Sequence, residues 1–146
     1  MTQPAATFNH PPSDLDLDYD AIVIGAGISG LYQLYKLREI GMKVRVFEAG
    51  TGVGGTWYWN RYPGARFDSE SYSYAYSFSQ ELLDEWDWSE HFASQPEILR
   101  YLQHVADRFD LIKDIRFSSD VRSALYSDDT RSWRIQLQDG LSLIHI

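Results

Sequence analysis

Residues 20–30 read Asp-Ala-Ile-Val-Ile-Gly-Ala-Gly-Ile-Ser-Gly, and they carry the strongest signal of the fold class. Its short apolar run, with β-branched residues, is typical of a buried parallel strand. A G-x-G-x-x-G loop comes next, and apolar residues then recur at helical spacing as far as Gly41, a plausible helix stop. Residues 43–48 alternate and predict a second strand. The sequence therefore predicts a βαβ unit of the Rossmann type within an α/β fold.

Each glycine of this loop has a distinct task in a dinucleotide site. Gly25 allows the tight turn after the strand, and Gly27 lets backbone N–H groups approach a pyrophosphate. Gly30 lets the helix lie close to the sheet, and the pyrophosphate then meets the positive end of that helix. Glu48 follows Gly30 by 18 positions, near the ~20 expected for the acid that binds ribose hydroxyls.

The acid also indicates which dinucleotide this loop holds. A carboxylate at Glu48 accepts hydrogen bonds from ribose and repels a 2′-phosphate, so the residues favour FAD or NAD over NADP. A second glycine pair, Gly54-Gly55, comes soon after Glu48, where the chain can pass close to a flavin dinucleotide. This pair favours FAD over NAD.

The remainder of the chain predicts an irregular loop, a helix and a β-hairpin. Residues 51–68 are mostly glycine, proline and aromatics and predict a shaped loop without regular structure, whereas 71–78 fit either a strand or a short helix. Ser94-Gln95-Pro96-Glu97 predicts a capping box, with proline in the first turn of an amphipathic helix that reaches Phe109. Strands are expected at 115–117, 121–126 and 133–137.

Composition excludes several other classes of protein. The chain has 146 residues with 44% hydrophobic, enough for one domain with a real core. A net charge of −8 argues against a nucleic-acid or anionic-membrane surface. No apolar run approaches the roughly 20 residues that span a bilayer. Cysteine is absent and the four histidines are scattered, so we assign no metal, and we expect a cytoplasmic protein.

The stretch Gly54–Asp68, GGTWYWNRYPGARFD, identifies a family. With the glycine loop it resembles the N-terminal part of the type I Baeyer–Villiger monooxygenases, and most closely the phenylacetone, cyclic ketone and steroid enzymes. The resemblance extends from Tyr19 to Gly140 and includes SQPEILRYLQHVADRFDL at 94–111. It implies FAD in this Rossmann domain and NADPH in a second one. The implied reaction converts a small-molecule ketone and O2, through a peroxyflavin, to an ester or lactone.

The resemblance also implies roles for individual residues along the cofactor. Ser29 and the glycine loop would contact the FAD phosphates, and Val121 would meet the adenine through its backbone. Gly55, Thr56 and Trp57 would lie along the flavin side.

A second group of residues would lie where the flavin meets the nicotinamide. There Asp68 would pair with a catalytic arginine that stabilises the peroxide, and Arg66 and Phe67 would lie beside it near NADP. Tyr74 would form a hydrogen bond near the flavin. From the residues alone, a structural role for Asp68, as a loop cap or a member of a surface ion pair, is as well supported as a functional one.

These considerations divide the chain into a flexible N-terminal arm, 1–18, a partial FAD-binding domain, 19–140, and a tail, 141–146. The family's F-x-G-x-x-x-H-x-x-x-W signature and second glycine loop are absent from the sequence, so we expect a chain truncated before the NADP-binding domain. We expect the LSLIHI tail to be non-native and the chain itself to be inactive. Two alternatives remain: an N- or S-oxygenating flavin monooxygenase or related FAD oxidoreductase, and a non-enzymatic dinucleotide-binding module.

Overall fold

Two three-stranded sheets, five α-helices and one short 3-10 helix, Ile112–Asp114, lie within residues 17–145, the part of the chain that the computed structural model describes. The predicted arm, 1–18, lies almost wholly outside these described residues. The strands are β1 Ala21–Ile24, β2 Val44–Phe47, β3 Ile115–Arg116, β4 Val121–Ser127, β5 Ser132–Leu137 and β6 Ser142–His145. The helices are α1 Ile28–Glu39, α2 Thr56–Trp59, α3 Ser71–Tyr74, α4 Gln80–Glu85 and α5 Gln95–Arg108.

The first sheet is parallel and contains the predicted βαβ unit. Strand β1 pairs with β2 from Ala21↔Val44 to Ile24↔Phe47, and α1 makes the crossover between them. Gly41, with φ +83°, lies just beyond the end of α1, where a left-handed conformation favours glycine. Strand β3 adds to the other side of β2 in parallel, which gives the order β1-β2-β3. The Rossmann-type α/β prediction is confirmed.

The main core lies between this sheet and two long helices. Leu31 and Leu34 of α1, Val46 of β2 and Leu102 of α5 are almost fully buried there. Pro96 is in the first turn of α5, as predicted. Because the apolar residues of α5 fall on one face, burying that face fixes the helix against the sheet.

The second sheet is antiparallel, with the order β4-β5-β6. It joins the first through a small cluster in which Phe47 of β2 packs on Ile135 and Leu137 of β5. Strand β6 comes from the predicted tail and pairs with β5 from Gln136↔Ser142 to Trp133↔His145. Backbone pairing is open to almost any residue, so the non-native origin of 141–146 stays a prediction.

Three short helices correct the sequence reading between the long ones. One turn of helix, α2, lies inside the segment predicted to lack regular structure, and α4 was not predicted. Segment 71–78 resolves as α3 followed by extended chain. Ser79 caps α4, because its hydroxyl accepts a hydrogen bond from the Leu82 N–H.

The predicted capping box at the start of α5 is wrong. Ser94 is the N-cap residue, but its side chain makes no capping hydrogen bond. The buried Glu97 carboxylate instead accepts hydrogen bonds from the N–H and hydroxyl of Ser89, at 2.9 and 2.7 Å. A partner brought close by tertiary folding therefore displaces the local pairing that the motif suggests.

Candidate dinucleotide site

The glycine loop between β1 and α1 requires glycine at two of its positions, at one for its backbone conformation and at the other for space. Gly25 has φ +93°, and its N–H donates to the Phe47 carbonyl at 2.8 Å, which ties the turn to the end of β2. A Cβ on Gly30 would lie 1.9 Å from the Gly25 carbonyl oxygen, an impossible contact. These glycines therefore perform the turn and the close helix–sheet packing that the sequence predicts.

The N-terminus of α1 opens onto this loop. Gly27 is the N-cap residue and offers no side chain to the free N–H groups of the first turn. Ser29, in that turn, is exposed. Unsatisfied N–H groups at the positive end of a 12-residue helix suit a phosphate or pyrophosphate.

The second glycine pair packs directly on the first. The Gly54 N–H donates to the Ala26 carbonyl at 2.9 Å. Gly55 has φ +54°, and a Cβ there would lie 2.8 Å from the Gly27 Cα. The two loops thus meet backbone to backbone beside the helix N-terminus, where side chains would separate them.

Glu48 is buried at the end of β2, and its side chain holds the glycine loop and the chain that follows β2. Its carboxylate accepts hydrogen bonds from the Ala26 and Gly50 N–H groups, each at 2.7 Å. Each carboxylate oxygen can accept a further hydrogen bond. The expected ribose contact therefore remains a prediction, and the structure adds a role in shaping the loop that the sequence reading missed.

A cavity of about 430 Å³ adjoins the first turn of α1. Ile28, Ser29 and Tyr32 line one side, and residues 74–78 line the other. Ser29 and Tyr74, which were predicted as phosphate and flavin contacts, therefore face the same space. Tyr76 links the two sides, because its hydroxyl donates to the Ile28 carbonyl.

The aromatic loop contributes a packed group of rings. Trp57 is buried, and its indole N–H donates to the Tyr74 hydroxyl at 2.7 Å. Phe67 is also buried, with its ring stacked on Tyr74 at 4.6 Å and edge-on to Trp57 at 5.8 Å. Thr56 is exposed at the start of α2. The structure thus brings Trp57, Phe67 and Tyr74 together as a support for the site.

Asp68 is held in place by its neighbours along the chain rather than by its own side chain. Arg66 pairs with Glu90 at 2.9 Å and donates to the Phe92 carbonyl at 3.1 Å. Asp68 is exposed, and within residues 17–145 its carboxylate makes no hydrogen bond or ion pair. It is therefore neither loop cap nor surface ion-pair member there, and is open to a cationic partner.

Val121 lies apart from the glycine loop, at the start of β4, where it packs on the small second core. A cavity of about 280 Å³ lies immediately before it, lined by Ala49, Ser118–Asp120 and Leu137–Asp139. This cavity lies near the end of β2, because Ala49, which lines it, directly follows Glu48. An adenine-side role for Val121 stays a prediction.

Two buried polar residues that the sequence reading missed hold the aromatic loop in position. Gln95 donates its side-chain amide to the Trp57 carbonyl, and its own N–H donates to the Ala65 carbonyl at 2.8 Å. The fully buried Ser71 hydroxyl donates to carbonyls at 90–91 and accepts from the Ala93 N–H at 3.1 Å. No local pattern in the sequence marks either residue, because their hydrogen-bond partners lie 19 to 38 residues away along the chain.

Burial also changes the acidity of two tyrosines near the site. It raises the pKa of Tyr101 to about 12 and that of Tyr76 further in the same direction. The Tyr101 hydroxyl accepts a hydrogen bond from the Tyr76 N–H at 2.8 Å. Both phenols therefore stay protonated at neutral pH and act as hydrogen-bonding struts.

Other kinds of site are not evident in the described part of the chain. Residues 17–145 hold no group of three or more potential metal ligands among His, Asp and Glu. No helix in that range has the length and apolar character needed to cross a membrane.

Comparison with known proteins agrees with this geometry. Residues 23–86 match the family model described as an NAD(P)-binding Rossmann-like domain. Acetone monooxygenase (methyl acetate-forming) from Gordonia sp. (strain TY-5) is 51% identical over 121 residues, which are 83% of this chain and 23% of that protein. Phenazine N-monooxygenase PhzNO1 from Lysobacter antibioticus is 50% identical over 123 residues, 84% of this chain and 23% of that protein.

The backbone fold is also similar to that of a solved structure. The crystal structure of the OTEMO complex with FAD and NADP superposes with a TM-score of 0.85 and 47% identity, covering 90% of this chain and 25% of that one. The fold and the glycine loops thus define a Rossmann-like dinucleotide-binding domain. Over most of its length the chain is similar to the N-terminal part of monooxygenases that include Baeyer–Villiger enzymes. It spans about a quarter of the length of the relatives it matches.

Proposed function

We propose that this chain is the FAD-binding part of a flavin- and NADPH-dependent monooxygenase that converts ketones to esters or lactones. The observation that carries the proposal is the contact of Gly27 with Gly55 beside the open N-terminus of α1. A side chain at either position would push the two loops apart, so these glycines keep the backbone of both loops beside the helix N-terminus, where a phosphate can approach it.

The donor groups present fit FAD. The first-turn N–H groups of α1 and the Ser29 hydroxyl would hold the pyrophosphate, and Glu48 would accept from a ribose hydroxyl. The bound flavin would supply O2 activation, with NADPH as the reductant. Trp57 and Tyr74 would position the flavin side through their mutual hydrogen bond.

Asp68 would set the electrostatics of the reaction. An exposed carboxylate without a partner in residues 17–145 suits pairing with an arginine from elsewhere in a longer protein. Such a pair would fix the guanidinium and its field where negative charge develops during oxygen transfer. Arg66 cannot take this part while it is paired with Glu90.

The ketone class is supported by a relative. An enzyme that forms methyl acetate from acetone places an oxygen atom next to a carbonyl, and the chain is 51% identical to the matching part of that enzyme. A second candidate is oxygenation of a ring nitrogen, because the match to phenazine N-monooxygenase is almost as high. A cytoplasmic location is part of the same proposal.

Cofactor choice can be tested on the chain itself by titration with FAD, NAD and NADP. The quenching of tryptophan fluorescence reports binding. We expect weak saturable binding of FAD, reduced in Ser29→Ala because a phosphate contact is lost at an exposed position. Thr130→Ala, far along the chain, is the matched surface control. Binding of NADP in preference to FAD would refute the proposal.

The reaction can be tested in a chimera. Residues 19–140 would replace the corresponding part of the acetone monooxygenase, and products from acetone and from phenazine would be measured with NADPH. We expect methyl acetate from acetone, and loss of this product in Asp68→Asn with flavin content unchanged. A flavin-loaded chimera that yields only the N-oxide would favour the second candidate.

A further inference from the structure

Aromatic rings form an unbroken series through the main core, from the predicted flavin side to the protein surface. Ring-to-ring contacts of this kind usually contribute packing energy alone. Here five of the six rings in the series are indoles or phenols, which can be oxidised by one electron. We call the series the ring array, and in order its members are Trp57, Phe67, Trp88, Tyr101, Tyr76 and Tyr32.

The inner half of the array joins two tryptophans to a buried tyrosine. Phe67 lies edge-on between Trp57 and Trp88, with ring centroids 5.8 and 5.9 Å away. Trp88 lies 5.0 Å from Tyr101. Trp86 flanks this junction at 5.9 Å from Trp88 and 5.4 Å from Tyr101. Electron transfer falls steeply with distance, so rings this close exchange electrons much faster than rings on opposite sides of a domain.

The outer half carries the series to solvent. Tyr101 lies 6.0 Å from Tyr76, and Tyr76 stacks on Tyr32 at 6.2 Å. Tyr32 is 41% exposed, whereas Tyr101 and Tyr76 are buried. Tyr35 joins the outer half as a side branch through Phe78, and it is less exposed than Tyr32.

Proton chemistry gives the series a direction. A phenol that loses an electron must also release its proton, and Tyr76 donates that proton to a backbone carbonyl, which is no base. Burial raises the pKa of Tyr76 and Tyr101, so their protons leave reluctantly. Buried Trp86 Nε1 has no hydrogen-bond partner within residues 17–145 and so has no acceptor for its proton either. Tyr32 can release its proton to water.

We propose that the ring array carries an oxidising equivalent from the flavin side at Trp57 to Tyr32 at the surface. The inference rests on the proposed function, because a flavin that activates O2 is a source of stray one-electron oxidants. Each oxidant would take one electron from Trp57. Electrons would then move inward along the array, Tyr32 would lose one electron and one proton to become a phenoxyl radical, and a solution thiol or ascorbate would reduce it.

The transfer can be measured in the chain without any flavin. Pulse radiolysis with azide radical oxidises tryptophan to the indolyl radical and leaves azide ion and a proton. The starting protein would carry Trp59→Phe and Trp133→Phe, because these two tryptophans contact tyrosines outside the array, Tyr58 and Tyr126. It would also carry Tyr74→Phe, because Tyr74 lies outside the array and accepts a hydrogen bond from Trp57. Oxidation then begins on Trp57, Trp86 or Trp88.

We expect the indolyl absorbance to decay while the phenoxyl absorbance rises at the same rate, independent of protein concentration. Tyr32→Phe should lose most of the phenoxyl signal and lengthen the indolyl lifetime. Because Tyr32 is exposed, its replacement keeps the fold. Tyr62→Phe, also exposed and without a ring contact among residues 17–145, is the matched control and should behave as the parent.

A phenoxyl yield unchanged by Tyr32→Phe would overturn the proposal, as would a transfer rate that scales with protein concentration. Circular dichroism and the urea midpoint confirm that each variant is folded. Since azide radical replaces the flavin, failure here leaves the proposed function standing. If the chain does not bind FAD, the measured electron transfer still stands, but the array would have no flavin as a source of oxidants.

Discussion

The two ends of the candidate site are held in different ways. At the glycine loop, backbone meets backbone, and the buried Glu48 carboxylate fixes two N–H groups. The segment that carries Asp68 is instead anchored on either side, by Gln95 and by Ser71, while the carboxylate itself stays exposed. At the glycine loop the binding surface is already ordered, and its residues are needed for the fold. The second end presents a reactive group that the fold does not need.

Among the tests of this contrast, Gly30→Ala should give the largest change in the free energy of unfolding. The added Cβ would meet the Gly25 carbonyl at 1.9 Å, and neither backbone segment can move without separating α1 from the sheet. We expect a loss of about 3 kcal/mol in the free energy of unfolding, the upper end for overpacking. Urea unfolding measures it. Gly52→Ala is the control, because its Cβ would meet only the Tyr58 side chain at 3.4 Å and should cost little.

The sharpest test compares Glu48→Gln with Asp68→Asn. The amide at 48 would turn a donor toward one of two buried N–H groups, so we expect a loss of about 2 kcal/mol in unfolding free energy. Asp68→Asn should stay within about 0.5 kcal/mol of the parent, as exposed substitutions do. Equal effects on the urea midpoint would show that the two ends are not held differently.

A smaller effect is expected at the anchor beyond Asp68. Ser71→Ala leaves the buried Ala93 N–H without its acceptor, which costs about 1–2 kcal/mol. Ser73→Ala removes a hydrogen bond of the same chemical kind at an exposed position and should change stability by less than about 0.5 kcal/mol. If the two variants unfold at the same urea concentration, Ser71 is no anchor.

The last effect is absent at neutral pH and appears only in alkali. Tyr101 has a folded pKa of about 12, above the ordinary value near 10. The unfolded chain therefore releases this proton first, and stability that is complete below about pH 10 falls as the pH rises toward 12. In Tyr101→Phe the urea midpoint should fall less steeply over that range. An unchanged slope would contradict the assigned burial of this phenol.

The parts of the fold that were predictable are those set by local pattern. Apolar runs and glycine spacing located β1, α1 and β2, because turn geometry and helix packing there depend on neighbours a few residues away. The turn of helix at Thr56–Trp59 was not predictable from glycine and aromatic content, since its carbonyl at Trp57 is held by distant Gln95.

The site was predictable as a set of residues but not as a set of contacts. Glu48 was expected to serve a ligand, yet it also binds the loop that receives that ligand. Ser94 and Glu97 matched a local capping pattern, but Ser89 competes successfully for the carboxylate. In both cases a partner remote in sequence decides the bond, and periodicity carries no information about such partners.

The hydrogen bonds from Ala26 and Gly50 to Glu48 affect the thermodynamics of ligand binding. A loop rich in glycine loses more conformational entropy on ordering than any other kind of chain. Here that loss belongs to folding, because the carboxylate orders the loop before any ligand arrives. Binding then starts from a preorganised receptor, and more of the interaction energy with the ligand is expressed as affinity.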